Sequence, residues 1–350
     1  MTDTTPPTSH SLETDYLGLR LSSPIVPGAS PLADHLDTVL RLEDAGAPAI
    51  GMRSLFEEQL TLEEHAVRTH VTHAGVGGES TRAFLPESAF AMGLDRYLEQ
   101  IDRIRRRVAI PVIGSLNGAT PGGWVDHARM VEQAGASALE LNLYTLPSDP
   151  DRSAAEVEHE QLEVVRRVVA RVTIPVAVKL GPFYSSLPSF VRACGDAGAR
   201  GVVLFNRFYQ ADIDPIALTT RRTLHLSTSS ELTLRLRWLA LISPRTKLSL
   251  AASGGVHEPL DAIKALMAGA TVVQVVSSLL VHGPERLRTL TEGLRTFLAH
   301  EEYRSLDQLR GNMSAARSPD PSAFERADYV QVLSSWHGST PSHRPASGRP

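Results

Sequence analysis

Hydrophobic residues along this chain change their spacing again and again. Short β-branched or small-residue runs fall at positions 25–30, 47–54, 110–117, 138–145, 174–181, 201–206, 247–253 and 272–276. Runs of that length, bounded by Gly and Pro, read as strands. Between them apolar residues recur every three or four positions, as in Leu36, Val39, Leu40 and Leu42, or Leu260, Ile263, Leu266 and Met267. That spacing predicts helices, with others expected at 97–104, 125–135, 162–172, 188–198, 232–241 and 284–302. Eight strand–helix repeats predict an α/β fold, a (β/α)8 TIM barrel. An open doubly wound sheet would carry a glycine-rich fingerprint after its first strand, and Pro27-Gly-Ala-Ser is a poor one.

Three departures refine the pattern. Residues 16–21 predict a short hairpin with 24–27 beneath the barrel. Residues 55–100 break the rhythm after the second strand, with 72–81 reading as an exposed loop, and form a long insertion suited to covering a substrate. Residues 1–14 read as a disordered tail, 15–312 as the barrel, and 313–350 as a C-terminal extension. Within that extension 324–336 predict a short helix and 338–350 disorder.

Bulk composition narrows the function classes. The 350 residues carry a net charge of −4, which gives no basis for a nucleic-acid or anionic-membrane surface. No run of 18 apolar residues and no signal-like start occurs, so the cytoplasm is expected. The single cysteine, Cys194, excludes a disulfide framework and an iron–sulfur cluster held by this chain's own thiolates. Of 35 basic residues only Lys179, Lys247 and Lys264 are lysines, so a lysine at a special position stands where arginine would not serve.

In a barrel the chemistry sits where strands end. The residues expected there are Ser30, Arg53, Ser54, Asn117, Asn142, Tyr144, Thr145, Lys179, Asn206, Gly254, Gly255, Ser277 and Ser278. The only carboxylate nearby is Glu140, inside the fourth strand. Metal catalysis and glycoside hydrolysis would require clustered His or paired carboxylates, and neither is seen. Amides and a lysine suit a flat heterocycle such as isoalloxazine. Gly254-Gly255 and Ser277-Ser278, ending the seventh and eighth strands, suit its phosphate. More ordinary roles remain: Asn142 and Asn206 as loop ties, Arg53 paired with Glu57 or Glu58, Tyr144 as packing.

Taken together, several motifs resemble the dihydroorotate dehydrogenase family, its soluble branch above all. They are Tyr16-Leu-Gly-Leu, Ser23-Pro-Ile, Ala29-Ser30, Met92-Gly93-Leu94, Glu140-Leu-Asn142-Leu, Val178-Lys179-Leu, Asn206, Ser253-Gly254-Gly255-Val and Met267-Ala-Gly-Ala-Thr-Val-Val-Gln274. The resemblance implies FMN, with its phosphate on Gly254, Gly255 and Ser277. It implies a ring near Ala29, Ser30, Arg53, Asn142 and Lys179, and a substrate near Met92, Gly93, Leu94, Asn142 and Asn206. The family places a Cys or Ser base after the fourth strand. Here that position falls on Thr145, in Tyr144-Thr-Leu-Pro147, with Tyr144 as the alternative or no base at all. Arg53, Phe90 and Val276 stand where the family has lysine, asparagine and glycine. The implied activity is oxidation of dihydroorotate to orotate in de novo pyrimidine (UMP) synthesis, with a small-molecule substrate and a soluble electron acceptor. It leaves a homodimer open. Alternatives are the same flavin chemistry on another small cyclic acid, a non-catalytic flavin-binding barrel, and a phosphate-binding isomerase without flavin.

Overall fold

A computed structural model describes residues 11–56, 93–118, 124–221, 223–325 and 328–335. Its eight-stranded parallel sheet contains β3 (Ile25–Pro27), β4 (Ile50–Phe56), β5 (Val112–Gly118), β6 (Ala138–Leu143), β7 (Val176–Leu180), β8 (Gly201–Leu204), β11 (Ser249–Ser253) and β12 (Val272–Val275). The hydrogen-bonded order is β3-β12-β11-β8-β7-β6-β5-β4. At the seam, β4 comes against β3 through Gly51, where a Cβ would lie 2.8 Å from the Pro27 carbonyl oxygen. Only a residue without a side chain permits that approach. Helices separate the strands, and the fold is the expected (β/α)8 barrel.

The hairpin differs from expectation. β1 (Thr14–Tyr16) pairs with β2 (Leu19–Leu21), and residues 24–27 instead supply the first barrel strand. Leu17 and Gly18 carry φ of 58° and 84°, the two-residue turn that matches hairpin twist. Tyr16, Leu17 and Leu21 pack in one cluster with Val26, Ala49, Ile113, Ala138, Ala177, Val203, Ala251 and Val272. The hairpin therefore seals one end of the barrel against an apolar layer of mostly small residues. Side chains alternate faces along a strand. Two residues beyond that layer lie Glu140 and Lys179, and Gln274 occupies the same step on β12.

Outside the barrel the helices bury a larger apolar shell. Cys194 is buried there, in the helix Leu187–Asp196. The helix α6 (Leu232–Ile242) follows an excursion after β8 that holds an exposed hairpin, β9 (Asp212–Asp214) with β10 (Thr219–Arg221). Sequence periodicity missed this hairpin because its strands are three residues each. Past the barrel, the Met313 N–H donates to the Met267 carbonyl and the Ala315 N–H to the Ala240 carbonyl, so the first part of the C-terminal extension packs on the helical layer. A short helix, Asp328–Ser334, follows within the expected 324–336. Residues 1–10 and 336–350, and the insertion from 57 to 92, lie outside the described residues. No described helix is long and apolar enough to cross a membrane.

Candidate active site

The polar layer is built from three strands. Lys179 Nζ donates to Glu140 Oε1 at 3.0 Å and to Gln274 Oε1 at 3.4 Å, while Gln274 Nε2 donates to Glu140 Oε2 at 2.5 Å. Lys179 is 6% exposed and Glu140 3%. A buried ammonium requires a counter-charge and hydrogen bonds, and this closed trio supplies both. Glu140 and Gln274 were not among the expected site residues. The signal was the position of Glu140, a carboxylate two residues from Asn142 on a strand with an inward-facing period of two.

Above the trio lies a cavity of about 210 Å³. Ala29, Ser30, Lys179, Asn206, Gly254, Gly255 and Ser277 all line it, together with Gln274, Ser227, Arg207 and Arg235. Seven expected residues, dispersed from position 29 to 277, thus meet in one place. The Ser30 hydroxyl is buried with no hydrogen-bond partner among the described residues. The Asn206 Oδ1 accepts from the Arg207 N–H at 2.9 Å, which leaves its amide NH2 as the donor for a ligand. Gly254 and Gly255 have φ of 90° and 82°, the left-handed region that glycine adopts without strain.

Ser227 was also missed. Its hydroxyl donates to Ser277 Oγ at 2.9 Å and accepts from the Gly255 N–H at 3.2 Å, so it bridges the two strand ends assigned to phosphate. Beyond Gly255, Asp261 Oδ2 accepts from the Ser229 hydroxyl at 2.7 Å and from the N–H groups of His257 and Glu258 at 3.0 Å each. Burial pushes the Asp261 carboxyl up, but these hydrogen bonds and Lys264 outweigh it and hold the group below its ordinary value.

Other expected residues lie elsewhere. Asn142 is in register with Asn117 and Lys179, yet it does not line the cavity. Its Nδ2 donates to Ser54 Oγ, Ser115 Oγ and the Leu116 carbonyl at 3.0–3.1 Å, and so ties β4, β5 and β6 together. Arg53 forms an ion pair with Asp34. Burial raises the Asp34 carboxyl above its ordinary value, and Arg53 offsets only part of that. Gly93 and Leu94 begin the helix Leu94–Arg105 and do not line the cavity; Met92 and Phe90 lie outside the described residues.

Tyr144 and Thr145 follow the last residue of β6 and line a neighbouring cavity of about 380 Å³, with Gln161, Phe183, Tyr184 and Phe208. Thr145 Oγ1 accepts from Gln161 Nε2 at 2.8 Å, which leaves its own proton to donate. Phe208 lines this second cavity while its neighbours Arg207 and Tyr209 line the first. The segment 206–209 therefore stands between the two. Burial raises the Tyr209 phenol above its ordinary value, and Arg207 offsets only part of that. Among the described residues no His, Cys, Asp and Glu cluster could hold a metal ion.

This is a (β/α)8 barrel with a buried, carboxylate-paired lysine beneath a cavity at its strand ends. The dihydroorotate dehydrogenase family model matches residues 89–298, well over half of the chain, and the chain belongs to that family, whose members are oxidoreductases. A relative in Aeropyrum pernix, provisionally described as dihydroorotate dehydrogenase A (fumarate), is 35% identical over 58% of this chain and 67% of its own. The catalytic subunit of dihydroorotate dehydrogenase B (NAD(+)) from Thermoplasma acidophilum is 26% identical over 86% of this chain and 98% of that one. Among solved structures, dihydroorotate dehydrogenase from Eimeria tenella in complex with ferulenol superposes with a TM-score of 0.61 at 15% identity, covering 89% of this chain and 90% of that one, and supports the fold.

Proposed function

We propose that this chain is an FMN-dependent oxidoreductase that converts dihydroorotate to orotate in pyrimidine synthesis, acting in the cytoplasm with a soluble electron acceptor. The observation that carries the reading is the Lys179–Glu140–Gln274 trio beneath a cavity lined by Ser30, Asn206 and the paired glycines. The orphaned Ser30 hydroxyl and the free amide of Asn206 offer donors to a ring rich in acceptors. When bound, FMN supplies the hydride acceptor.

The protein's part is to hold charge and protons in place. Lys179, fixed by Glu140 and Gln274, presents a positive charge toward the cavity, where it favours negative charge building on the ring edge. Gly254, Gly255 and Ser277 hold the phosphate end. Asn206 orients the substrate. Thr145 is the proposed base, with Tyr144 as the alternative, and either must act across the 206–209 segment. Because the B-type relatives are named as catalytic subunits, a partner carrying electrons away is a second arrangement beside a homodimer.

A second reading keeps the flavin and changes the substrate to another small cyclic acid. It is favoured by Thr145 and Tyr144 lining a separate cavity and by Arg53 being committed to Asp34. Anaerobic mixing with dihydroorotate, followed by flavin absorbance, separates the readings. Bleaching supports dihydroorotate; bleaching only by other cyclic acids supports the second; a colourless protein that takes up no FMN refutes both.

A further inference from the structure

Arg235 is 6% exposed and lies in the first turn of α6, where a buried cation is disfavoured by the helix dipole. Its Nε donates to the Ser253 carbonyl at 2.9 Å and its Nη1 to the Glu231 carbonyl at 2.6 Å. No carboxylate hydrogen-bonds it among the described residues. The nearest one, Glu231, receives Arg207 Nη1 on both oxygens at 3.1 Å. The other cation lining the cavity, Lys179, is already paired with Glu140. Among the described residues Arg235 is therefore the cation of the cavity wall that no carboxylate hydrogen-bonds, Glu231 acting on it only through space, and it lacks the directly paired anion that buried charges need.

Its placement is built into the backbone. A Cβ on Gly254 would lie 2.8 Å from Arg235 Nη2, so the glycine leaves room for the guanidinium beside the strand ends. Among the described residues Nη2 has no hydrogen-bond partner. Ser253, Gly254, Gly255, Ser277 and Arg235 line the same cavity. A planar donor fork held by two carbonyls, with one nitrogen left over, is suited to a phosphate oxygen.

Resting on the flavin reading above, we infer that Arg235 binds the phosphate group of the FMN tail and is the residue by which this barrel distinguishes a phosphorylated ligand from its unphosphorylated form. The guanidinium contributes charge at a place where the Gly255 N–H is already engaged by the Ser227 hydroxyl.

The test is titration of the full-length apoprotein with FMN and with riboflavin, read by quenching of flavin fluorescence. Taking the ratio of the two affinities within one protein cancels any change in the folded fraction, so a destabilised variant remains informative. Arg235→Met is expected to lower the preference for FMN over riboflavin at least about tenfold, the lower bound for a hydrogen bond to a charged group. Riboflavin affinity should stay unchanged, and Arg235→Lys should keep part of the preference. A preference unchanged in Arg235→Met overturns the assignment while leaving the flavin reading intact. Wild-type protein that binds riboflavin as tightly as FMN also overturns it. Wild-type protein that binds neither refutes the flavin reading, and the assignment with it.

Discussion

Replacing Lys179 by methionine removes the cation from a buried trio and leaves Glu140 with only the amide of Gln274. At the observed 3.0 Å the Lys179–Glu140 attraction is about 5–6 kcal/mol for an effective dielectric near 20. Desolvation of two ions offsets most of that, so the pair as a whole contributes little against an uncharged replacement. Removing one partner is different, and Lys179→Met and Glu140→Gln should each cost about 3–5 kcal/mol. The double variant should recover most of the loss, since no charge is then buried alone. Urea unfolding at neutral pH of all four proteins gives the coupling energy directly. Simple addition of the two single losses in the double variant would refute the buried-pair account. A second measurement separates support from function: the double variant, though stable, should fail to be reduced by substrate in anaerobic mixing. Full reduction at the wild-type rate would remove Lys179 from the chemistry.

Three further outcomes follow from other groups. Thr145→Ala should slow flavin reduction at least about tenfold in stopped-flow absorbance if Thr145 is the base. An unchanged rate, with a slowed Tyr144→Phe, would move that role to Tyr144. Burial pushes the Cys194 thiol up to about 12, so it should resist a thiol-reactive dye at pH 8 and react only on unfolding; rapid labelling of the native protein would contradict its burial. Because the folded-state Asp261 carboxyl is held below its ordinary value, its contribution is present above the unfolded value and lost as pH falls through the folded one. Asp261→Ala should therefore cost about 1–2 kcal/mol at neutral pH, as loss of a cap does, with the gap to wild type closing below about pH 4. A gap independent of pH would show that the carboxylate charge is not involved.

The alternation of short apolar strands with helical spacing was enough to establish the barrel, because every barrel strand must bury its outward face against a helix and declare itself by composition. The paired glycines, Ser30, Lys179 and Asn206 could be found for a related reason: strand ends in a barrel have a known place, and period-two alternation fixes which side chains face inward. What the linear pattern could not carry was who meets whom across the barrel. Gln274 reaches Lys179 from 95 positions away, Ser227 inserts between Gly255 and Ser277, and Arg235 enters the cavity from a helix whose spacing marks it only as a surface charge. Asn142 and Thr145 occupy the positions that the local motif assigned them, yet packing decided their company. Three acceptors around the Asn142 amide pull it into the strand network, and Gln161 holds Thr145 at a neighbouring cavity. Local sequence determines backbone geometry and which face a residue takes; the partners of a buried polar group depend on closure of the whole barrel, because only there do distant strands become adjacent.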